Sequence, residues 1–102
     1  DEITTTVSIT RGDNGEIYNA LLEEKAQKEI SPLGTEWAIG DTSNISNLSF
    51  SSFRKAVGKP KNVVGKNLVL HIIKEDVYLS VQFTIWGQSQ KGNFSYRRST
   101  KN

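Results

Sequence analysis

The stretch Val77-Tyr78-Leu79-Ser80-Val81-Gln82-Phe83-Thr84-Ile85-Trp86 decides the fold. Val77, Leu79, Val81, Phe83 and Ile85 take one parity, and Tyr78, Ser80, Gln82, Thr84 and Trp86 take the other. Side chains of an extended chain alternate between faces, so a period of two held this long predicts a strand with one buried face. Upstream lies the branched run Leu68-Val69-Leu70-His71-Ile72-Ile73, joined to it by Lys74-Glu75-Asp76, a polar connector of hairpin length. Downstream, after Gly87-Gln88-Ser89-Gln90-Lys91-Gly92, the run from Asn93 to Ser99 puts Phe94 and Tyr96 on one side. The C-terminal third therefore reads as a three-stranded antiparallel meander.

Working outward, Glu2 to Thr10 alternates Ile3, Thr5, Val7 and Ile9 with Thr4, Thr6, Ser8 and Thr10, which predicts another strand. Arg11-Gly12-Asp13-Asn14-Gly15 is a loop. Residues 17–30 are ambiguous: a strand around Ile17 is expected, with a short helix after it because Leu21 to Glu29 favours helix by propensity. Ser31-Pro32-Leu33-Gly34 breaks the chain. Glu36-Trp37-Ala38-Ile39 reads as a buried strand stopped at Gly40, and Leu48-Ser49-Phe50 as another beyond a polar loop. Ser52 caps a turn or two of helix whose apolar residues are Phe53, Ala56 and Val57 and whose end is Gly58. Short strands separated by polar turns predict a mainly β chain: a small antiparallel β-sandwich, jelly-roll-like or barrel variants included, with one or two short helices.

At 102 residues the chain is a single β-rich accessory or binding domain, residues 1–102. With 35% apolar residues it builds one modest core and no membrane span, so membrane insertion is not expected. The absence of cysteine excludes a disulfide framework, a thiolate zinc site and a cysteine nucleophile. With no methionine and no charged-then-apolar leader, the sequence reads as a mature chain or an excised domain. The net charge of +2 conceals an asymmetry. Residues 1–41 carry nine acids and three bases, net −6, and residues 42–102 carry ten bases and two acids, net +8.

Several segments recur in a familiar order: Thr35-Glu36-Trp37-Ala38-Ile39-Gly40, Leu48-Ser49-Phe50, Ala56-Val57-Gly58, Val64-Gly65 through Leu70-His71-Ile72-Ile73, Glu75-Asp76-Val77-Tyr78-Leu79, Phe83-Thr84-Ile85-Trp86 and Phe94-Ser95-Tyr96-Arg97-Arg98. This order resembles a group of uncharacterised β-rich accessory domains in exported bacterial proteins. Where that group commonly has a glycine run before the last strand, Gln88-Ser89-Gln90-Lys91 stands here. The resemblance implies an extracytoplasmic bacterial module, secreted or at the cell surface, and it brings no activity with it.

Candidate chemistry is sparse. His71 lies in an apolar strand with no accompanying nucleophile or second histidine, so it reads as a structural residue. Glu75 and Asp76 serve the hairpin turn. Asp13 and Glu16, with Asn14 and Gly15, form an oxygen-rich loop of the kind calcium favours, yet without EF-hand spacing; a plain polar turn is the simpler reading, and no cofactor is expected. Arg11-Gly12-Asp13 spells an adhesion tripeptide that also arises by chance, and Asn44, Asn47 and Asn93 open glycosylation sequons in form.

Trp86 and Tyr78 share a parity with Gln82 between them, and Arg97 and Arg98 lie on the closing strand. A sheet face that carries aromatic rings beside amides is a sugar-binding arrangement. Burial in the core is the competing reading for Trp86, and more so for Trp37. The leading expectation is a non-catalytic recognition or attachment module for a polysaccharide or cell-surface glycan, with Trp86, Tyr78, Gln82, Arg97 and Arg98 as the contact face. The rivals are a structural spacer or assembly domain that meets a neighbouring protein domain and, less favoured, a small nucleic-acid-binding barrel.

Overall fold

The computed structural model describes residues 1–11, 17–27, 30, 32–59, 62–87 and 94–99. The expected meander is present: β4 (Asn67–Ile72), β5 (Val77–Trp86) and β6 (Phe94–Arg98) pair antiparallel in sequence order. β3 (Thr35–Ile39) joins the other side of β4 and completes a four-stranded sheet in the order β3-β4-β5-β6. A two-stranded sheet of β1 (Ile9–Arg11) and β2 (Ile17–Asn19) and the short helix α1 (Phe53–Val57) complete the small β-sandwich.

The alternation of β5 places its apolar parity inside. Leu79, Val81 and Phe83 join Leu68, Leu70 and Ile72 of β4 and Trp37 of β3 in one core. Val7, Ile9 and Ile17 close that core from the N-terminal side, and Phe53, Val57 and Val63 from α1 and the loop behind it. α1 is built as its residues dictate. The Ser52 side chain accepts from the Lys55 N–H, and Gly58 ends the helix at φ 79°, a conformation costly for any residue with a Cβ.

The connector between β4 and β5 is a tight turn in which the Asp76 N–H donates to the Ile73 carbonyl at 3.2 Å and Asp76 takes φ 55°. Asp and Asn tolerate this left-handed geometry better than other side chains.

Four local expectations are corrected. The N-terminal stretch is not one strand, because Ile3 and Thr4 N–H groups both donate to the Val7 carbonyl and fold residues 2–8 back on themselves; only Ile9–Arg11 extends. Among the described residues of 20–30 no helix forms. Buried Asn19 accepts from the Ser8 and Leu21 N–H groups and donates to the Thr6 and Leu33 carbonyls, so its amide organises a loop. Glu23 accepts from the Asn19 and Leu33 N–H groups and holds the same loop, which side-chain hydrogen bonding favours over helical propensity. Leu48-Ser49-Phe50 is not a strand; the segment meets β3 only through the Trp37–Ser51 bridge. The polar loop before it winds into a 3-10 helix, Thr42–Asn47, capped by Asp41.

Candidate binding face

The β4–β5 turn determines which side chains share the face opposite the core. Pairing about that turn sets His71 against Tyr78, Val69 against Ser80 and Asn67 against Gln82. β3 adds Glu36 opposite His71 and Ala38 opposite Val69, and β6 adds Arg97 opposite Gln82. Three cross-strand rows result: Glu36-His71-Tyr78, the small-residue row Ala38-Val69-Ser80, and the polar row Asn67-Gln82-Arg97.

The first row is a clasp. His71 is buried, with Nδ1 2.7 Å from Glu36 Oε2 and Nε2 2.8 Å from Asp76 Oδ1. Its ring stacks on Tyr78 with centroids 4.2 Å apart and planes 5° from parallel, and Phe50 meets both rings edge-on. Both ring nitrogens of His71 are thus engaged by carboxylates of its own chain. Stacking also covers one face of the half-buried Tyr78 ring.

The polar row is open. Gln82 Nε2 donates to Asn67 Oδ1 at 3.1 Å and to the Gly65 carbonyl at 3.2 Å. Beside the row lies a depression of about 490 Å³ lined by Asp41, Asn67, Ser80, Gln82, Arg97 and Ser99 among others. Asp41 is an exposed, ionised rim. The side-chain hydroxyl of Ser43 and then its backbone N–H donate to the carboxylate and hold it below the usual carboxylate range. Gly40 beside it takes φ 148°, a conformation that residues with a Cβ rarely adopt, and a Cβ there would also displace the end of the Leu48 side chain, whose Cδ2 would lie 2.5 Å away.

The five predicted contact residues divide between two faces. Tyr78, Gln82 and Arg97 share the outer face, but Trp86 does not, because a β-bulge lets Thr84 and Ile85 together oppose Ser95. One extra residue reverses the parity beyond it. Ile85, expected in the core stripe, is therefore half-exposed, and Trp86 packs toward the core against Phe53 and Phe83. Its ring is further covered by the Arg11 guanidinium at 3.9 Å from the centroid, a cation–π contact.

Arg98 is also on the core side, opposite Val81, and its Nε and Nη2 donate to Asp1 at 2.6 and 3.0 Å. Tyr96 donates its hydroxyl to the same Asp1 carboxylate at 2.8 Å. Trp37, the weaker platform candidate, is fully buried. Asp13, Glu16, the sequon at Asn93 and the connector Gln88-Ser89-Gln90-Lys91 lie outside the described residues.

Tyr96 gives the Arg98–Asp1 corner a pH signature. Burial pushes its phenol up to about 12, and the Arg98 charge only partly opposes the shift. An unfolded phenol ionises near pH 10, so the unfolded chain loses this proton first. Stability at this site is intact below about pH 10 and declines as pH rises through about 12. In urea melts, Tyr96→Phe should show a shallower loss over that window than the parent chain; identical slopes would refute the assignment.

Asp41, Asn67 and Ser99 had not been anticipated as site residues. The first two were within reach: a hairpin centred on Lys74 and Glu75 forces Asn67 opposite Gln82, and Asp41 follows the strand-ending Gly40. No family model, curated protein or solved structure matches the chain. No described helix is long and apolar enough to cross a membrane. Among the described residues no cluster of three or more potential metal ligands occurs.

Proposed function

We propose that the chain is a non-catalytic recognition or attachment module whose outer sheet face takes carbohydrate. The observation that carries the reading is the row Asn67-Gln82-Arg97, three strands wide, beside a depression of about 490 Å³. Directional amide, guanidinium, hydroxyl and carboxylate groups on a rigid sheet suit the hydroxyl pattern of a sugar. The aromatic contribution is smaller than the sequence suggested, since the Tyr78 ring is stacked on one side and the Trp86 ring belongs to the other face. The resemblance of its segment order to exported bacterial domains is the sole support for the secreted or cell-surface location included in the proposal.

A glycan-array screen followed by calorimetry tests it. A binding glycan should lose at least tenfold in affinity with Gln82→Ala or Asn67→Ala, while Thr84→Ala, on the bulge, leaves binding unchanged. Retention of no glycan, or equal affinity in all variants, rejects the reading.

The rival assembly domain has one observation in its favour. Leu21, Leu22 and Ile30 are 48%, 60% and 46% exposed, as an interface for a neighbouring domain would be. Nucleic acid is disfavoured because Asp41, Glu36 and Asp76 carry negative charge onto the outer-face region and Tyr78 offers no open stacking surface on its His71 side.

A further inference from the structure

The two adjacent arginines of β6 have different tasks. Both border the depression, but Arg98 is committed to Asp1, whereas Arg97 projects from the outer face and has no acid partner among the described residues. At the other end, Gly40 donates its N–H to the Asn67 carbonyl and brings Asp41 to the rim beside β4. Asn67 and Arg97 stand two strand spacings apart, roughly 10 Å. The depression is therefore bipolar: the free Arg97 guanidinium at one end, the Asp41 carboxylate at the other, and between them amides and serine hydroxyls beside the apolar Leu68 and Val81.

We infer that this depression binds an oligosaccharide carrying a single carboxylate, with the acid group on Arg97 and neutral hydroxyl-bearing sugar running toward Asp41. The inference rests on the carbohydrate reading above and deepens it. A guanidinium presents paired N–H donors that match the two oxygens of a carboxylate, and such charge-assisted bonds are stronger than those to a hydroxyl. Asp41 only accepts, so it selects hydroxyl donors at its end and repels a second negative charge there. A chain with an acid on every unit meets that repulsion. An acidic sugar at the end of a neutral oligosaccharide does not.

The single carboxylate has two common sources, a uronic acid and a sialic acid. The test titrates sialyllactose and glucuronosyl-xylobiose, each as the free acid and as its methyl ester, into the parent chain and into Arg97→Gln and Asp41→Asn. Uniformly charged oligogalacturonate and neutral xylotriose and lactose complete the panel. Arg97 is exposed, so an unchanged melting temperature verifies that the variant folds.

At least one free acid should bind, weaken at least tenfold as its methyl ester and lose a similar factor in Arg97→Gln; the arm that binds identifies the source. Asp41→Asn should improve binding of oligogalacturonate. Equal affinity for acid and ester, or tightest binding of oligogalacturonate by the parent chain, overturns the inference. If the neutral sugars bind as well as the acids, the single-acid inference fails and the carbohydrate reading stands. If no member of the panel binds, the inference fails, and the glycan array decides the carbohydrate reading separately.

Discussion

Trp37→Ala should lower the folding free energy by about 3–5 kcal/mol. That corresponds to a fall in melting temperature of some 15–30 °C for a domain of this size. Trp37 is the largest fully buried side chain, at the centre of β3, between β4 and the Ser51 bridge. Its indole meets Phe53 edge-on at 5.0 Å, which ties the sheet to α1. Its Nε1 donates to Thr35 Oγ1 at 2.9 Å, and that hydroxyl donates to the Pro32 carbonyl at 2.7 Å. Removal of the ring leaves a cavity between two layers that cannot both collapse, and a total stability of about 5–15 kcal/mol leaves little margin. Trp37→Phe keeps most of the volume and loses the hydrogen bond, so it should cost clearly less. Chemical denaturation of both variants checks this, and a loss below about 1 kcal/mol for the alanine variant would contradict the burial described.

His71→Ala is the second large effect, with an expected cost of about 2–3 kcal/mol. The two ring nitrogens lie 2.7 and 2.8 Å from Glu36 and Asp76, so removal of the ring takes a partner from both side chains. The ring also supports Tyr78 by stacking, and the clasp links β3, β4 and the β4–β5 turn. The full penalty for breaking a buried ion pair does not apply, because the Asp76 side chain is 76% exposed and that of Glu36 37%. A double-mutant cycle of His71→Ala with Glu36→Gln isolates the pair. A coupling of about 0.5–1.5 kcal/mol is expected, and additivity within about 0.3 kcal/mol would show that the contact contributes nothing.

Both effects fall on positions whose burial was readable from short apolar runs, while the full partner set of each was not. Trp37 sits in a short apolar run stopped by glycine, so its core role follows from local pattern. That Phe53 meets its edge does not, because α1 could have packed on either face of the sheet. For His71 the parity in β4 was legible, and so was the turn that delivers Asp76. Glu36, 35 residues away, reaches His71 only because β3 pairs with β4.

The candidate site divides the same way. Tyr78, Gln82 and Arg97 were nominated and do share a face, but Trp86 and Arg98 were nominated with them and lie on the other. Parity counting assumes an unbroken ladder. For Trp86 the bulge at Thr84 and Ile85 breaks it, and only the partner strand β6 shows where; Arg98 lies on the face opposite to Arg97 by plain alternation along β6.

By itself the sequence determined what depends on near neighbours along the chain. The branched apolar run set β4 as a buried strand, alternation set the inward face of most of β5, the polar connector set their hairpin, and Ser52 and Gly58 bounded α1. These are local steric and hydrogen-bonding choices made by a few adjacent residues. Tertiary structure alone decided that Asn19 and Glu23 would use their side chains on a loop rather than a helix, that β5 would bulge, and that Asp41, Asn67 and Arg97 would border one depression. Those outcomes depend on contacts between segments far apart in the chain, where the free energy of packing and of satisfying buried polar groups outweighs local preference.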